Sequence, residues 1–105
     1  MAEEDRFRVS DNPLGSRYEL RLADAVVGFL AYEVQADTAV LLHAEVDAAY
    51  EGRGLGSRLV AGALDDLRAR GLSVVPVCPF VTSYLRRHPE YADLVARERA
   101  LGAGA

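Results

Sequence analysis

The chain has 105 residues, half of them hydrophobic, and a formal net charge of −4; this is material for one compact domain and leaves no room for a second. The acidity argues against a broad electrostatic hold on nucleic acid or anionic lipid. One cysteine forbids an internal disulfide, and no apolar run approaches the roughly 20 residues that cross a bilayer.

The start, "MAEEDRFRVS", is polar and acidic and has no apolar signal core. The expectation is a cytoplasmic, monomeric domain over residues 1–105, its core spanning 6–98 and its end, 99–105, frayed. "RFRVS" and "RYELRL" alternate polar and apolar residues as half-buried strands do, with the turn cluster "DNPLGS" between them. "AVVGFLAYEVQ" predicts a third strand, Ala36-Asp37-Thr38 a break, and "AVLLHAEVDAAY" a fourth strand. Short connections make these four an antiparallel meander. In "EGRGLGSRLVAGALDDLRARG", Leu55, Leu59, Val60, Ala63, Leu64 and Leu67 recur at helical spacing, and Gly71 marks the stop. The pair Asp65–Asp66 reads as a solvated helix face. "LSVVPVC" predicts a fifth strand, and "FVTSYLRRHPEYADLVARERA" one or two helical pieces broken at Pro89. The fold class is α+β, a mixed sheet with helices.

Three alternating glycines, Gly52, Gly54 and Gly56, sit where the fourth strand gives way to the helix. Such a loop turns tightly and presents amide N–H groups, beside the positive helix end, to a phosphate; its other reading is a turn without a ligand. No Gly-Lys-Ser/Thr follows, which excludes a nucleotide-triphosphate loop. A dinucleotide fold would place the loop after its first strand.

The stretch from His43 to Val95, with "EGRGLGS", "VPVCPF" and "RRHPEY", resembles the small GNAT-like N-acetyltransferase domain family, and with the preceding strands the likeness covers nearly the whole chain. The superfamily's loop pattern, Gln/Arg-x-x-Gly-x-Gly/Ala, falls on residues 51–56, with Glu51 in place of Gln or Arg. The resemblance implies a GNAT-type twisted mixed sheet whose fourth and fifth strands splay apart. Acetyl-coenzyme A would lie in the gap, its pyrophosphate on the amides of residues 52–57. Glu45, Val46, Gly52, Arg53, Gly54, Leu55, Gly56, Ser57, Arg58, Tyr84 and Arg87 are the implied cofactor-binding residues. No metal site is implied.

Pro76, which cannot donate to a ladder, suits a strand at a sheet edge. Pro79 suits the first position of a helix. Cys78 then caps that helix, where the helix terminus favours thiolate; equally, it is a small buried hydrophobe. His43 lies on the fourth strand, and strict alternation would place it on one face with Leu41 and Glu45. It reads either as a structural histidine or as a base. In the resemblance, Cys78 and His43 match the positions proposed as catalytic. Two routes follow: an acetyl group carried on Cys78, or direct attack by the amine with His43 or water as base. The Arg86-Arg87-His88 cluster suits either a coenzyme A phosphate or a solvated helix end. Tyr84 reads as proton donor to the leaving thiolate or as core. Tyr50, Tyr32 and Phe29 read as core or cleft wall. The implied function is transfer of acetyl to an unidentified small-molecule or protein amine. The alternative is a coenzyme A-binding module without turnover.

Overall fold

The computed structural model describes residues 6–96. The tail at 99–105 and the last two positions of the expected core, 97 and 98, lie outside the described residues. Five strands form one sheet in the order β1-β2-β3-β4-β5: β1 Phe7–Asn12, β2 Arg17–Leu22, β3 Ala25–Gln35, β4 Thr38–Val46 and β5 Ser73–Pro76. The first four pair antiparallel as a meander, whereas β4 and β5 are parallel. The parallel pair is joined by the 15-residue helix α1, Leu55–Ala69, and a second helix α2, Pro79–Arg87, follows β5. Among the described residues no helix is long and apolar enough to cross a membrane.

The expected fourth strand is shorter than its apolar run. β4 ends at Val46, and Ala48–Tyr50 forms a 3-10 turn that carries the chain off the sheet end. Four residues separate this turn from α1, which buries Leu55, Leu59, Val60, Ala63, Leu64 and Leu67, each burial of a leucine or valine contributing about 1.5–3 kcal/mol. The helix stops as its sequence dictates. Gly71 takes φ +74°, and the amides of Gly71 and Leu72 donate to the carbonyls of Arg68 and Leu67, both at 3.0 Å, which closes a Schellman motif.

Both helices lie on one side of the sheet. Tyr18, Leu20, Leu30, Tyr32, Ala39 and Leu41 point to that side and are buried. Tyr18 donates to Asp66 of α1 at 2.6 Å, and the turn Pro89–Leu94 packs alongside through Tyr91 to Asp65 (2.7 Å) and Arg68 to Asp93 (2.7 Å). Asp65 and Asp66 are therefore tethering groups rather than a merely solvated face. The other face of the sheet carries Arg8, Arg17, Glu19, Phe29, His43 and Glu45, and no described helix covers it.

Candidate active site

The site begins where β4 and β5 part. Their ladder runs for four pairs, from Thr38 with Ser73 to Leu41 with Pro76. There it ends in a fork, since the amides of Val77 and Cys78 both donate to the Leu41 carbonyl at 2.9 Å. Pro76 sits at this last pair and cannot donate onward. Beyond it the chain turns into α2, with Cys78 as its N-cap and Pro79 in its first turn.

From Leu42 onward β4 has no strand partner on its β5 side among the described residues. A bulge falls at the same point: Tyr32 pairs with Leu41 and Ala31 with His43, leaving Leu42 as the extra residue. The bulge breaks the alternation that would have set His43 beside Leu41. Leu41 faces the helices and is fully buried, whereas His43 faces the uncovered side with 59% of its side chain exposed. His43 and Glu45 do share a face, as expected. Beyond the bulge, Gly28 is opposite Val46 and the Asp47 amide donates to the Val27 carbonyl at 2.8 Å. This is a non-hydrogen-bonded pair, so the amide and carbonyl of Val46 point away from β3 and toward the gap. Ala44, opposite Leu30, has the same phase.

The gap opens into a cleft of about 360 Å³ lined by Ala44, Glu45 and Val46 of β4, by Tyr50, Glu51, Gly52 and Gly54 of the loop, by Leu55, Gly56 and Ser57 of α1, and by Phe80 and Arg87 of α2. Gly52 and Gly54 take φ +80° and +74°, and open space surrounds the position where each would carry a Cβ. Among the described residues no side chain caps α1, whose N-cap is Gly54. The amides of its first turn therefore remain donors for whatever enters the cleft. Phe80 closes the opposite wall: a Cβ on Gly56 would lie 2.9 Å from the tip of its ring.

Of the expected cofactor-binding residues, Glu45, Val46, Gly52, Gly54, Leu55, Gly56, Ser57 and Arg87 line this cleft, and Arg53, Arg58 and Tyr84 do not. Arg53 turns back over the rings of Phe7 and Tyr50. Arg58 donates to the Phe7 carbonyl at 3.1 Å. Tyr84 is buried and stacks on His88 at 4.0 Å. Its phenol is pushed up first by burial and then by the nearby charges of Glu90 and Asp65. Arg86 is exposed, and His88 contacts Glu90 at 3.2 Å.

Cys78 is 3% exposed, part of the core, and outside the cleft lining. His43 lies outside the lining as well, but it reaches Glu45, which is inside: His43 Nε2 and Glu45 Oε2 are 2.7 Å apart. A carboxylate only accepts, so Nε2 carries the proton and Nδ1 is left as the basic nitrogen. Sequence reasoning left Ala44 and Phe80 out of the site and named Glu51 only as the departure within the loop pattern. Ala44 joins it through the bulge, and Phe80 could have been found as the large apolar residue next to the helix-starting Pro79. Of the three aromatics read as core or cleft wall, Tyr32 is core, Tyr50 is cleft wall, and Phe29 stands on the uncovered face beneath Arg17 at 5.1 Å.

Comparison with known proteins agrees with the fold. The model of a family described as GCN5-related N-acetyl-transferase matches residues 17–94. The fold is similar to a GCN5-like protein from Staphylococcus aureus solved by NMR, with a TM-score of 0.66 at 16% identity over 87% of this chain and 89% of that one. It is also similar to the ribosomal-protein-S18-alanine N-acetyltransferase of Escherichia coli, with a TM-score of 0.53 at 25% identity over 69% of this chain and 42% of the other. No curated protein matches by sequence.

Proposed function

The chain belongs to the GCN5-related N-acetyltransferase family, and from that premise we propose that it transfers the acetyl group of acetyl-coenzyme A to an amine. The observation that carries this reading is the cleft at the parting of β4 and β5, floored by the glycine loop at the start of α1. The residues present fit such a cofactor. The loop offers amides and two glycines facing open space, the free edge of β4 offers the backbone groups of Ala44 and Val46, and Arg87 offers a cation on the far wall. When bound, acetyl-coenzyme A would supply a thioester for attack by the amine nitrogen: the C–N bond would form as the C–S bond breaks, and the departing thiolate would take up a proton from water.

The amides of the loop and of the first turn of α1 would hold the phosphates. The Ala44 and Val46 edge would align the arm and polarise the carbonyl. His43 would take the amine's proton at Nδ1, its orientation fixed by Glu45 at Nε2. Direct transfer is favoured over an acetyl-cysteine intermediate because Cys78 is buried in the core and outside the cleft lining. The amine would approach across the uncovered face of the sheet, where His43 and Glu45 stand. The relative from Escherichia coli acts on an alanine of a ribosomal protein by its name; the present chain spans under half of it, and its acceptor is proposed only as an amine.

The test is thiol release from acetyl-coenzyme A with a panel of polyamines, lysine peptides and peptides with free N-termini. Acceptor-dependent release supports the proposal. Tight cofactor binding with no release for any amine would instead mark a coenzyme A-binding module.

A further inference from the structure

Arg53 occupies the middle of the glycine loop, between two residues of positive φ, yet its side chain leaves the cleft. The guanidinium carbon lies 5.6 Å from the ring centre of Phe7 and 5.6 Å from that of Tyr50. The two rings meet nearly edge to face, at 5.7 Å and 80°. Phe7 is the first residue of β1, at the opposite edge of the sheet from β5, and is 2% exposed. Its carbonyl accepts from Arg58 of α1 at 3.1 Å. The loop and the first turn of α1 are thus fastened at two points to one fixed residue of the far strand, and Tyr50 carries that fastening into the cleft wall.

We propose that Arg53 is a positioning residue: held against Phe7 and Tyr50, it fixes the glycine loop in its phosphate-receiving shape and is not itself a phosphate ligand. The proposal rests on the acetyl-coenzyme A reading of the cleft. Its physical basis is the entropy of glycine. A loop carrying Gly52 and Gly54 has many open conformations to lose, and ordering it on binding would weaken affinity. A cation against two aromatic faces, one of them buried, offsets that loss before the ligand arrives.

The experiment uses Arg53→Met, which keeps the apolar stem, Phe7→Leu, which removes the ring but keeps an apolar side chain in the core, and the double variant. Two readouts are taken: amide hydrogen exchange of residues 51–55 without ligand, and calorimetric Kd for acetyl-coenzyme A. Each single variant is expected to speed exchange in the loop and to raise Kd roughly tenfold. The double variant should bind no more weakly than either, because both break one fastening. The proposal is overturned if loop exchange is unchanged in Arg53→Met. It is overturned too if Phe7→Leu leaves Kd untouched while Arg53→Met weakens binding, the pattern of a direct phosphate contact. Faster loop exchange in Arg53→Met beside a wild type that binds no acetyl-coenzyme A would uphold the fastening and remove the cofactor reading.

Discussion

The imidazole of His43 and the carboxylate of Glu45 meet at 2.7 Å on the side of the sheet that α1 and α2 leave uncovered. Glu45 also lines the cleft, so the pair joins the proposed cofactor side to the proposed acceptor side. His43→Ala is expected to lower kcat by roughly 100-fold or more, the range of a lost general base, with little change in Kd for acetyl-coenzyme A. Glu45→Gln retains an acceptor for Nε2–H and should cost less. Steady-state kinetics with saturating amine, beside binding calorimetry, separates the two effects. An unchanged kcat in His43→Ala removes the histidine from the mechanism.

Cys78→Ala should turn over at the wild-type rate once loading is corrected for stability, because the thiol is packed in the core. The cavity left by one sulfur is small, so a modest loss of stability is the main expected effect. Rapid quench followed by intact mass measurement should show no acetyl adduct on the wild type. A hydroxylamine-labile adduct absent from Cys78→Ala would restore the covalent route.

Glu51 lines the cleft at the loop position where the family pattern carries Gln or Arg. A carboxylate beside a pyrophosphate repels it weakly through water, so Glu51→Gln is expected to tighten acetyl-coenzyme A binding by roughly twofold to fivefold at low salt. The gain should fade at high ionic strength. Weaker binding in this variant would mean that Glu51 organises the loop instead.

Much of this arrangement was legible in the residues. The strand boundaries of β2 and β3 follow directly from "RYELRL" and "AVVGFLAYEVQ". The buried stripe of α1 is the apolar period of its sequence, and Pro76 and Pro79 mark the edge strand and the helix start as their chemistry requires. What escaped has a local cause. The bulge at Leu42 leaves no mark in an apolar run, so period-2 reading places His43 on the face of Leu41, whereas the two lie on opposite faces. The resemblance implies Arg53 and Arg58 as cofactor-binding residues, yet neither lines the cleft. Which way a long side chain turns depends on Phe7, 46 residues from Arg53 and 51 from Arg58 in sequence.

Glu19 makes a separate prediction about stability. It is 5% exposed on the uncovered face, where Asn12, Arg17 and Arg21 each donate to its carboxylate at 2.9 Å. The Asn12 bond first, then the two arginines, hold its pKa below the usual carboxylate range against the opposing effect of burial. A depressed folded-state pKa gives stability that is present above the unfolded value, near roughly 4.3, and is lost as pH falls through the folded one. Glu19→Gln should therefore lower unfolding free energy at pH 7 by about 1.5 kcal/mol, and its difference from wild type should shrink in acid. Urea denaturation across that range checks it; a difference independent of pH would contradict the assignment.

The account turns on the cleft receiving acetyl-coenzyme A on the loop amides, and titration calorimetry on wild type and Gly54→Val tests this most directly. Gly54 has φ +74°, a conformation a β-branched residue resists. Saturable binding by the wild type, weakened at least roughly tenfold in a folded Gly54→Val protein, is the predicted result. No heat with wild type at millimolar acetyl-coenzyme A, or equal affinity in the two proteins, would contradict it.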